Sequence, residues 1–312
     1  MSKYVFGVDL GGTTVKMGYF TPEGKLVEKW EIPTIKENSG KQILPDIAAS
    51  IKSKMEEKSM AKDDVIGVGI GVPGPIDKEG VIYKAANLGW GVFSVKNELK
   101  ELLGGIHVEA GNDANVAALG EMWCGGGKGY SNLVAVTLGT GVGGGIIIDG
   151  KILTGSTGAG GEIGHIHVED NEKEVCGCGN TGCLEQYTSA TGVTRLANRR
   201  LAKDDKASLL RSGEVNSKTV WDAVKAGDSL AIDVANQFGE YLGKGLASVA
   251  CVVNPEVFVI GGGVSKAGEV LIDYLKHHYQ KHVFHGSREA KFALATLGND
   301  AGIYGAAKLV LE

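Results

Sequence analysis

The sequence predicts an α/β protein of two related domains, for three reasons. Strand patterns alternate with helical patterns along the 312 residues, as is typical of α/β proteins. A strand, a glycine-rich turn and a second strand occur twice, near residues 4–20 and 132–148, which indicates an internal repeat. The length also allows two hydrophobic cores. We therefore predict a smaller α/β domain in residues 1–112 plus 301–312 and a larger one in 113–300, with a cleft between them.

The individual elements follow from the spacing of apolar residues. These residues alternate or run together in predicted strands, and they recur every three or four positions in predicted helices. In the first half, strands are predicted at 4–10, 15–20, 65–72 and 107–110, and helices at 43–55, 93–103 and 114–124. In the second half, strands are predicted at 132–138, 146–148 and 257–260, and helices near 192–203, 217–226, 229–252, 267–279 and 301–311. The last helix is expected to pack on the first half.

The composition argues against several classes of protein. The net charge is −5 and no basic run occurs, which argues against nucleic acid as a partner. No apolar run approaches the ~20 residues of a membrane-spanning helix. The first residues carry no secretory cleavage signal. We therefore expect a cytoplasmic protein whose cysteines are reduced.

A cysteine-rich loop is the most specific feature of the chain. Cys176, Cys178 and Cys183 lie within eight residues, shortly after His165 and His167. Zinc prefers four nitrogen or sulfur ligands in a tetrahedron, so three cysteines and one histidine would complete a structural site. A disulfide is the alternative, but it would require an oxidising compartment. We predict a zinc site, and the spacing leaves open which histidine completes it.

Two carboxylates bracket this loop. Glu162 lies three residues before His165, and Glu185 lies two residues after Cys183. Carboxylates accept strong hydrogen bonds from hydroxyl groups, so the loop could bind a polyhydroxylated ligand. The alternative is that both are solvated loop charges, and the positions alone do not decide between the two.

Both predicted hairpin turns are rich in glycine and threonine, at 11–14 and 139–145. Consecutive backbone N–H groups in such turns can converge on a phosphate. The second turn formally matches a dinucleotide-binding fingerprint, but a strand follows it where that fingerprint requires a helix. Two matching turns favour phosphate binding over ordinary hairpins. Asp9 could hold Mg²⁺ through water and Lys16 could contact a phosphate, although either could be a surface residue.

Asn112 and Asp113 lie where a predicted strand ends and a helix begins. Both residue types favour helix capping. The ends of strands in open α/β sheets also line ligand crevices, and a carboxylate beside a substrate hydroxyl can act as a general base. Capping and catalysis are compatible, and both interpretations stay open.

The motifs together resemble the ROK family of repressors, open reading frames and sugar kinases. They are Asp9-Leu-Gly-Gly-Thr-Thr14, Gly71-Val-Pro-Gly-Pro-Ile76, Gly111-Asn-Asp113, Gly139-Thr-Gly-Val-Gly-Gly144, Glu162-Ile-Gly-His165 and Cys176-Gly-Cys-Gly-Asn-Thr-Gly-Cys-Leu-Glu185. The resemblance extends from residue 8 to the C-terminal helix, and the order of motifs is most similar to the bacterial glucokinase branch. The predicted core begins near Tyr4, so we expect no DNA-binding helix-turn-helix ahead of it.

The resemblance implies an actin-like, ribonuclease H-like fold in which ATP and a sugar meet in an interdomain cleft. It implies zinc ligation by His165, Cys176, Cys178 and Cys183, and a catalytic base at Asp113. The implied sugar-binding residues are Gly74, Asn87, Asn112, Asp113, Glu162, His165 and Glu185. The implied ATP-binding residues are Asp9, Gly11, Gly12, Thr13, Thr14, Lys16, Thr140, Gly141, Gly262 and Gly263.

The implied activity is the ATP- and Mg²⁺-dependent phosphorylation of a hexose at its 6-hydroxyl. Glucose is the expected substrate, because the carboxylate and imidazole acceptors fit equatorial hydroxyls better than an acetamido group. Fructose, mannose and N-acetylmannosamine stay open as substrates, as does a non-catalytic sugar sensor. A homodimer or homotetramer is expected.

Overall fold

The computed structural model describes residues 3–83, 85 and 87–312. Its strands are β1 (Tyr4–Leu10), β2 (Thr14–Phe20), β3 (Leu26–Pro33), β4 (Val65–Val72), β5 (Val81–Ile82), β6 (Phe93–Ser94), β7 (Val108–Asn112), β8 (Leu133–Leu138), β9 (Val142–Ile148), β10 (Lys151–Ile152), β11 (Val257–Gly261) and β12 (Lys291–Leu294). Its helices are α1 (Glu37–Gly40), α2 (Ile43–Glu57), α3 (Val95–Leu102), α4 (Asp113–Cys124), α5 (Glu185–Thr188), α6 (Ala190–Leu201), α7 (Ser217–Lys225), α8 (Ser229–Val253), α9 (Glu269–His282) and α10 (Ala301–Leu309).

The chain divides into two compact units. The first contains residues 1–129, 145–161 and 297–312, and the second contains 130–144 and 162–296. Helix α4 therefore belongs to the first unit, whereas the domain boundary expected from the sequence falls just before it. The predicted domain boundary between residues 112 and 113 stays a prediction.

The first sheet has the strand order β3-β2-β1-β4-β7. Strands β1, β2 and β3 pair antiparallel as a meander, while β4 pairs parallel with both β1 and β7. Asp9 on β1 pairs with Gly71 on β4, and Gly71 pairs with Gly111 on β7. The carboxyl ends of the three parallel strands are thus aligned, and the first turn of α4 begins at the same edge.

The second sheet has the order β10-β9-β8-β11-β12. Strand β9 pairs antiparallel with β10, and β11 pairs parallel with β8 and β12. Each sheet therefore has three parallel strands on one side and a hairpin on the other, in the same order along the chain. This agreement supports the internal repeat that the two hairpin motifs indicated.

Helix α10 lies directly on the first sheet, as expected for the last helix. A Cβ atom added to Gly69 on β4 would lie 1.7 Å from the carbonyl oxygen of Ala306, and one on Gly7 would lie 1.9 Å from that of Ile303. Only glycine allows helix and strand backbones to come this close. On its other side α10 contacts α4, where a Cβ on Gly305 would lie 1.6 Å from the carbonyl oxygen of Val116.

The strands differ from the sequence prediction in three ways: β3, β5, β10 and β12 were not predicted, β6 occupies the start of the helix predicted at 93–103, and β9 begins earlier than predicted. Strand β3 was not predicted because Glu28, on the half-buried face of this edge strand, interrupts the alternation of apolar residues. Strand β9 begins at Val142, four residues before the predicted return strand. The glycines at 143–145 are therefore strand residues. At Gly145 a larger residue would not fit, because a Cβ there would lie 2.5 Å from the Cβ of Ala118 on α4.

In the described part of the chain, no helix combines the length and the apolar character needed to cross a membrane.

The contact between α10 and β4 generates a prediction about stability. Gly69→Ala should lower the free energy of unfolding by at least ~2 kcal/mol, because its methyl group would overlap the Ala306 backbone and force the helix outward. Urea denaturation followed by circular dichroism measures this. The control is Gly213→Ala, whose Cβ would meet no atom within 4 Å. Equal stability of the two variants would show that the close packing is not needed.

Candidate active site

In the first unit, two carboxylates lie at the aligned strand ends. Asp9 is half-buried near the end of β1 and pairs across the hairpin with Lys16. Burial raises the pKa of Asp9, the Lys16 ammonium opposes this rise, and the negative charge of Asp113 adds to it. Asp9 and Asp113 are therefore close enough to interact electrostatically. Such a pair favours a bound cation.

Asn112 caps the helix that begins with Asp113. Its Oδ1 accepts hydrogen bonds from the backbone N–H groups of Ala114 and Asn115, at 3.0 and 3.2 Å. Its Nδ2 donates to the carbonyl oxygen of Gly74 at 3.2 Å. The capping interpretation is therefore confirmed. The same bonds hold Asn112 and Gly74 together beside Asp113, which is compatible with a ligand-binding role.

The first glycine turn is held from one side by Thr34, a residue that the sequence analysis missed. The backbone N–H of Gly11 donates to the carbonyl of Thr14 at 3.1 Å. The hydroxyl of Thr34 donates to the carbonyl of Gly11 at 2.8 Å, and its N–H donates to the carbonyl of Thr13 at 2.9 Å. Thr34 therefore fixes the conformation of this turn, and no residue pattern in the sequence marks that role.

Two other predicted residues lie around the first unit's turn. The Nδ2 of Asn87 is 4.0 Å from where a Cβ on Gly12 would lie, so this predicted sugar ligand lies beside the predicted ATP turn. The Lys16 ammonium donates to the carbonyl of Asn299 at 3.2 Å. Reaching a phosphate would require Lys16 to give up that bond.

In the second unit, the predicted ATP-binding glycines come together. A Cβ on Gly262, just after β11, would lie 2.5 Å from the carbonyl oxygen of Leu138, at the end of β8. Helix α6 fixes the other side of the 139–141 turn: the Ala190 N–H donates to the Gly139 carbonyl at 2.8 Å, and the Thr191 hydroxyl donates to the Thr140 carbonyl at 3.0 Å. The turns at 139–141 and 261–263 therefore form one local surface.

The predicted metal ligands form a compact cluster. One nitrogen of His165 and the three sulfurs of Cys176, Cys178 and Cys183 all lie within 4.8 Å of one another. Cys176 Sγ lies 3.8 Å from His165 Nδ1, and Cys178 Sγ lies 3.6 Å from Cys183 Sγ. A tetrahedral zinc ion with Zn–S bonds of ~2.3 Å would separate its ligand atoms by ~3.6–3.8 Å. The donor set and spacing therefore fit zinc.

His167 lies outside the cluster because both of its ring nitrogens have other partners. Nδ1 lies 2.9 Å from the carbonyl of Thr181, and Nε2 lies 2.8 Å from Asp170 Oδ1. The Asp170 carboxylate also raises the pKa of His167. Two residues apart on a strand, the rings of His165 and His167 would point to the same side, but His165 is in a 3₁₀ turn (Ile163–His165).

The two bracketing glutamates have different surroundings. Glu162 is exposed, and its Oε2 lies 4.0 Å from His165 Nε2, on the side of the ring opposite the cluster. Glu185 Oε2 accepts a hydrogen bond from the Val142 N–H at 2.9 Å, and its Oε1 lies 3.8 Å from Cys176 Sγ. Glu185 thus touches both the cluster and the second glycine turn.

This position of Glu185 affects how the glycine turn can be tested. A Cβ on Gly141 would lie 2.3 Å from Glu185 Oε2. A substitution at Gly141 would therefore disturb a predicted sugar ligand and a predicted nucleotide turn together. Gly263 is the better probe of the nucleotide turn, because a Cβ there meets no atom within 4 Å.

Comparisons with known proteins place these features in a family context. The ROK family profile matches residues 5–312. The glucokinase of Halalkalibacterium halodurans is 44% identical over 99% of this chain and 96% of its own length, and that of Thermotoga maritima is 35% identical over 99% and 97%. The crystal structure of a ROK family glucokinase from Streptomyces griseus, in complex with glucose and AMPPNP, is 34% identical with a TM-score of 0.74, over 98% of both chains.

The raised pKa of Asp9 generates a prediction. The charged carboxylate destabilises the folded state, and this cost is absent below the unfolded-state pKa of 3.8 and grows as the pH rises through the higher folded-state pKa. Asp9→Asn should therefore have a higher Tm than the wild type at pH 8 and lose that advantage near pH 4, while its activity falls. Thermal melting across this pH range is the measurement.

The control for this experiment is Asp205→Asn, which changes an exposed carboxylate. It should leave Tm unchanged at each pH. A lower Tm of Asp9→Asn at pH 8 would show that the Asp9 charge stabilises the protein.

Proposed function

The chain belongs to the ROK family, and on that premise we propose that it transfers the terminal phosphoryl group of ATP to the 6-hydroxyl of glucose. The observation that carries the proposal is the similarity to glucokinases along nearly the whole chain, one of which was crystallised with glucose and an ATP analogue. The reaction needs a site for the ATP phosphates and a site for the sugar. The two glycine-rich turns are the candidates for the first, and a group of carboxylate, amide and imidazole side chains is the candidate for the second.

The proposed catalytic base is Asp113. It is the first residue of α4, at the edge where the parallel strands of the first sheet end. In the proposed step, the Asp113 carboxylate accepts the proton of the 6-hydroxyl as that oxygen attacks the phosphorus, and ADP leaves. Asn112 would bind a neighbouring sugar hydroxyl while its Oδ1 keeps the helix cap in place. Gly74 and Asn87 are proposed to complete this end of the site.

Glu162, His165 and Glu185 are proposed to bind the hydroxyls near the anomeric end. The Nδ1 of His165 lies in the cysteine cluster, so its Nε2 remains for the sugar. Zinc fits this cluster by donor type and spacing, and when bound it would cross-link the loop and fix the ring of His165. These residues bind sugar hydroxyls and take no part in proton transfer in this proposal.

The ATP phosphates are proposed to bind the two glycine turns. The proposed contacts are Gly11, Gly12, Thr13, Thr14 and Lys16 in the first unit, and Thr140, Gly141, Gly262 and Gly263 in the second. The Asp9 carboxylate fits Mg²⁺, because it is half-buried beside a second carboxylate and hard cations prefer oxygen ligands. When bound, Mg²⁺ supplies positive charge beside the phosphates. A homodimeric or homotetrameric assembly and a cytoplasmic location are also proposed.

A hexose panel tests the proposal. The purified protein with ATP and Mg²⁺ is assayed on glucose, mannose, fructose and N-acetylmannosamine by coupled ADP detection. Glucose should exceed fructose and N-acetylmannosamine at least ~10-fold in kcat/KM, which requires only ~1.4 kcal/mol of differential binding. Asp113→Asn should lower glucose turnover by ~10²–10⁴-fold while glucose still binds.

The outcomes separate the alternatives. The control Asp205→Asn should keep full turnover, because its carboxylate is exposed and outside the proposed site. Equal use of fructose or N-acetylmannosamine would reject glucose specificity but keep the kinase. Glucose binding without phosphorylation of any sugar would favour the sugar sensor.

A further inference from the structure

The loop that carries the cysteine cluster has little regular structure of its own. Between residues 162 and 185 it contains one 3₁₀ turn and two isolated bridges, His167 with Cys183 and Val175 with Thr181. A loop with so few backbone hydrogen bonds to a sheet needs side chains to hold its shape. One of these side chains is the buried carboxylate of Glu172.

The Glu172 carboxylate is the centre of a dense hydrogen-bond network. Its side chain is 3% exposed. It accepts a hydrogen bond from the Tyr187 hydroxyl at 2.5 Å and two from the Arg199 guanidinium at 3.1 Å, and it pairs with Arg195 at 3.0 Å. The backbone N–H groups of residues 173 and 174 also donate to it. These partners, Arg199 first, hold the pKa of Glu172 well below its usual range.

The partners of Glu172 connect the two arms of the loop, which are the segment before Cys176 and the segment after Cys183. Arg195 and Arg199 are on helix α6, while Tyr187 directly follows the Cys183–Gln186 segment. Arg195 also donates to the carbonyl of Gln186 at 2.7 Å. The Gln186 side chain continues the connection, since its Nε2 donates to the carbonyl of Glu174 at 2.8 Å and its Oε1 accepts from the Cys183 N–H at 3.0 Å.

A stacked pair of aromatic rings packs against the same network. Tyr187 is buried and stacks on Tyr241 of helix α8, with ring centroids 4.0 Å apart. The Tyr241 hydroxyl donates to Glu169 Oε2 at 3.0 Å. The arm before Cys176 and the arm after Cys183 are therefore both tied to helices α6 and α8.

We propose that Glu172 is a positioning residue for sugar binding: by joining both arms of the loop to α6, it fixes Glu185 and His165 relative to each other. The inference rests on the proposed function, because it concerns the same sugar site. Glu185 lies two residues before Tyr187, and Cys176 lies four residues after Glu172. A shift of either arm would separate Glu185 from the cluster and change sugar contacts, while Gly139 and Thr140 keep their hydrogen bonds from Ala190 and Thr191 of α6.

Glu172→Gln tests this proposal with little change of shape. The amide keeps one acceptor oxygen, but its NH₂ group would face the arginine donors and leave them unpaired. The KM for glucose should rise at least ~10-fold, while kcat stays within ~3-fold and the KM for ATP within ~2-fold. Zinc should also pass to the chelator 4-(2-pyridylazo)resorcinol at least ~5-fold faster than from the wild type.

The matched control is Glu174→Gln. Glu174 pairs with the same two arginines, but its side chain is 60% exposed, and exposed ion pairs contribute little. Its glucose KM and zinc release should stay within ~2-fold of the wild type. If Glu172→Gln does not fold, Tyr187→Phe removes only one donor from Glu172 and should raise the glucose KM by ~2–5-fold.

The results distinguish positioning from simple stabilisation. A Glu172→Gln protein with a lower Tm but an unchanged glucose KM and zinc-release rate would overturn the proposal, because the residue would then only stabilise the fold. A wild-type protein that phosphorylates no hexose would overturn the proposed function instead. Glucose titration by calorimetry and the chelator assay would still measure the effect of Glu172 in that case.

Discussion

The predicted sugar side of the candidate site depends on a loop whose backbone pairs with itself at only two isolated bridges. Residues 162–185 contribute no strand to either five-stranded sheet. Their shape is fixed by two sets of side chains: the His165, Cys176, Cys178 and Cys183 cluster on one side and the Glu172 network on the other. Deprotonated cysteines at this spacing would repel one another without a cation. A bound zinc ion and the buried Glu172 carboxylate are therefore the two proposed supports of the loop that carries Glu162 and Glu185.

Glu185 connects this loop with the rest of the second unit. One carboxylate oxygen accepts from the Val142 N–H, at the start of β9, and the other lies beside Cys176. Glu185, a predicted sugar-binding residue, is therefore hydrogen-bonded to the turn that is predicted to bind phosphate. In the first unit, the alignment of Asp9, Gly71 and Gly111 has an analogous effect, because it collects carboxylates at one sheet edge. In both units the backbone register decides which polar groups become neighbours.

The parts of the molecule that could be predicted are those with regularly spaced apolar residues or with a recognisable sequence motif. Strand β4, helix α2 and both hairpins follow apolar spacing, and the cysteine cluster follows from ligand type and separation. The contacts of Glu172 could not be predicted, because its partners Tyr187, Arg195 and Arg199 lie 15 to 27 residues away with no repeating pattern. Strand β3 was missed because Glu28 on its inward face interrupts the apolar alternation. The choice of His165 over His167 came from family resemblance, and the structure explains it by the partners of His167.

In the proposed site a metal-bound loop holds the sugar-binding groups, whereas the nucleotide turns are held mainly by helix α6 and by Thr34. The most direct measurement is calorimetric titration of glucose, and of a non-hydrolysable ATP analogue, into protein stripped of metal and into the same protein reloaded with zinc. We expect stripping to weaken glucose binding at least ~10-fold, zinc to restore it, and the affinity for the ATP analogue to change by less than ~2-fold. Glucose binding of equal strength in the stripped and reloaded protein would contradict this expectation.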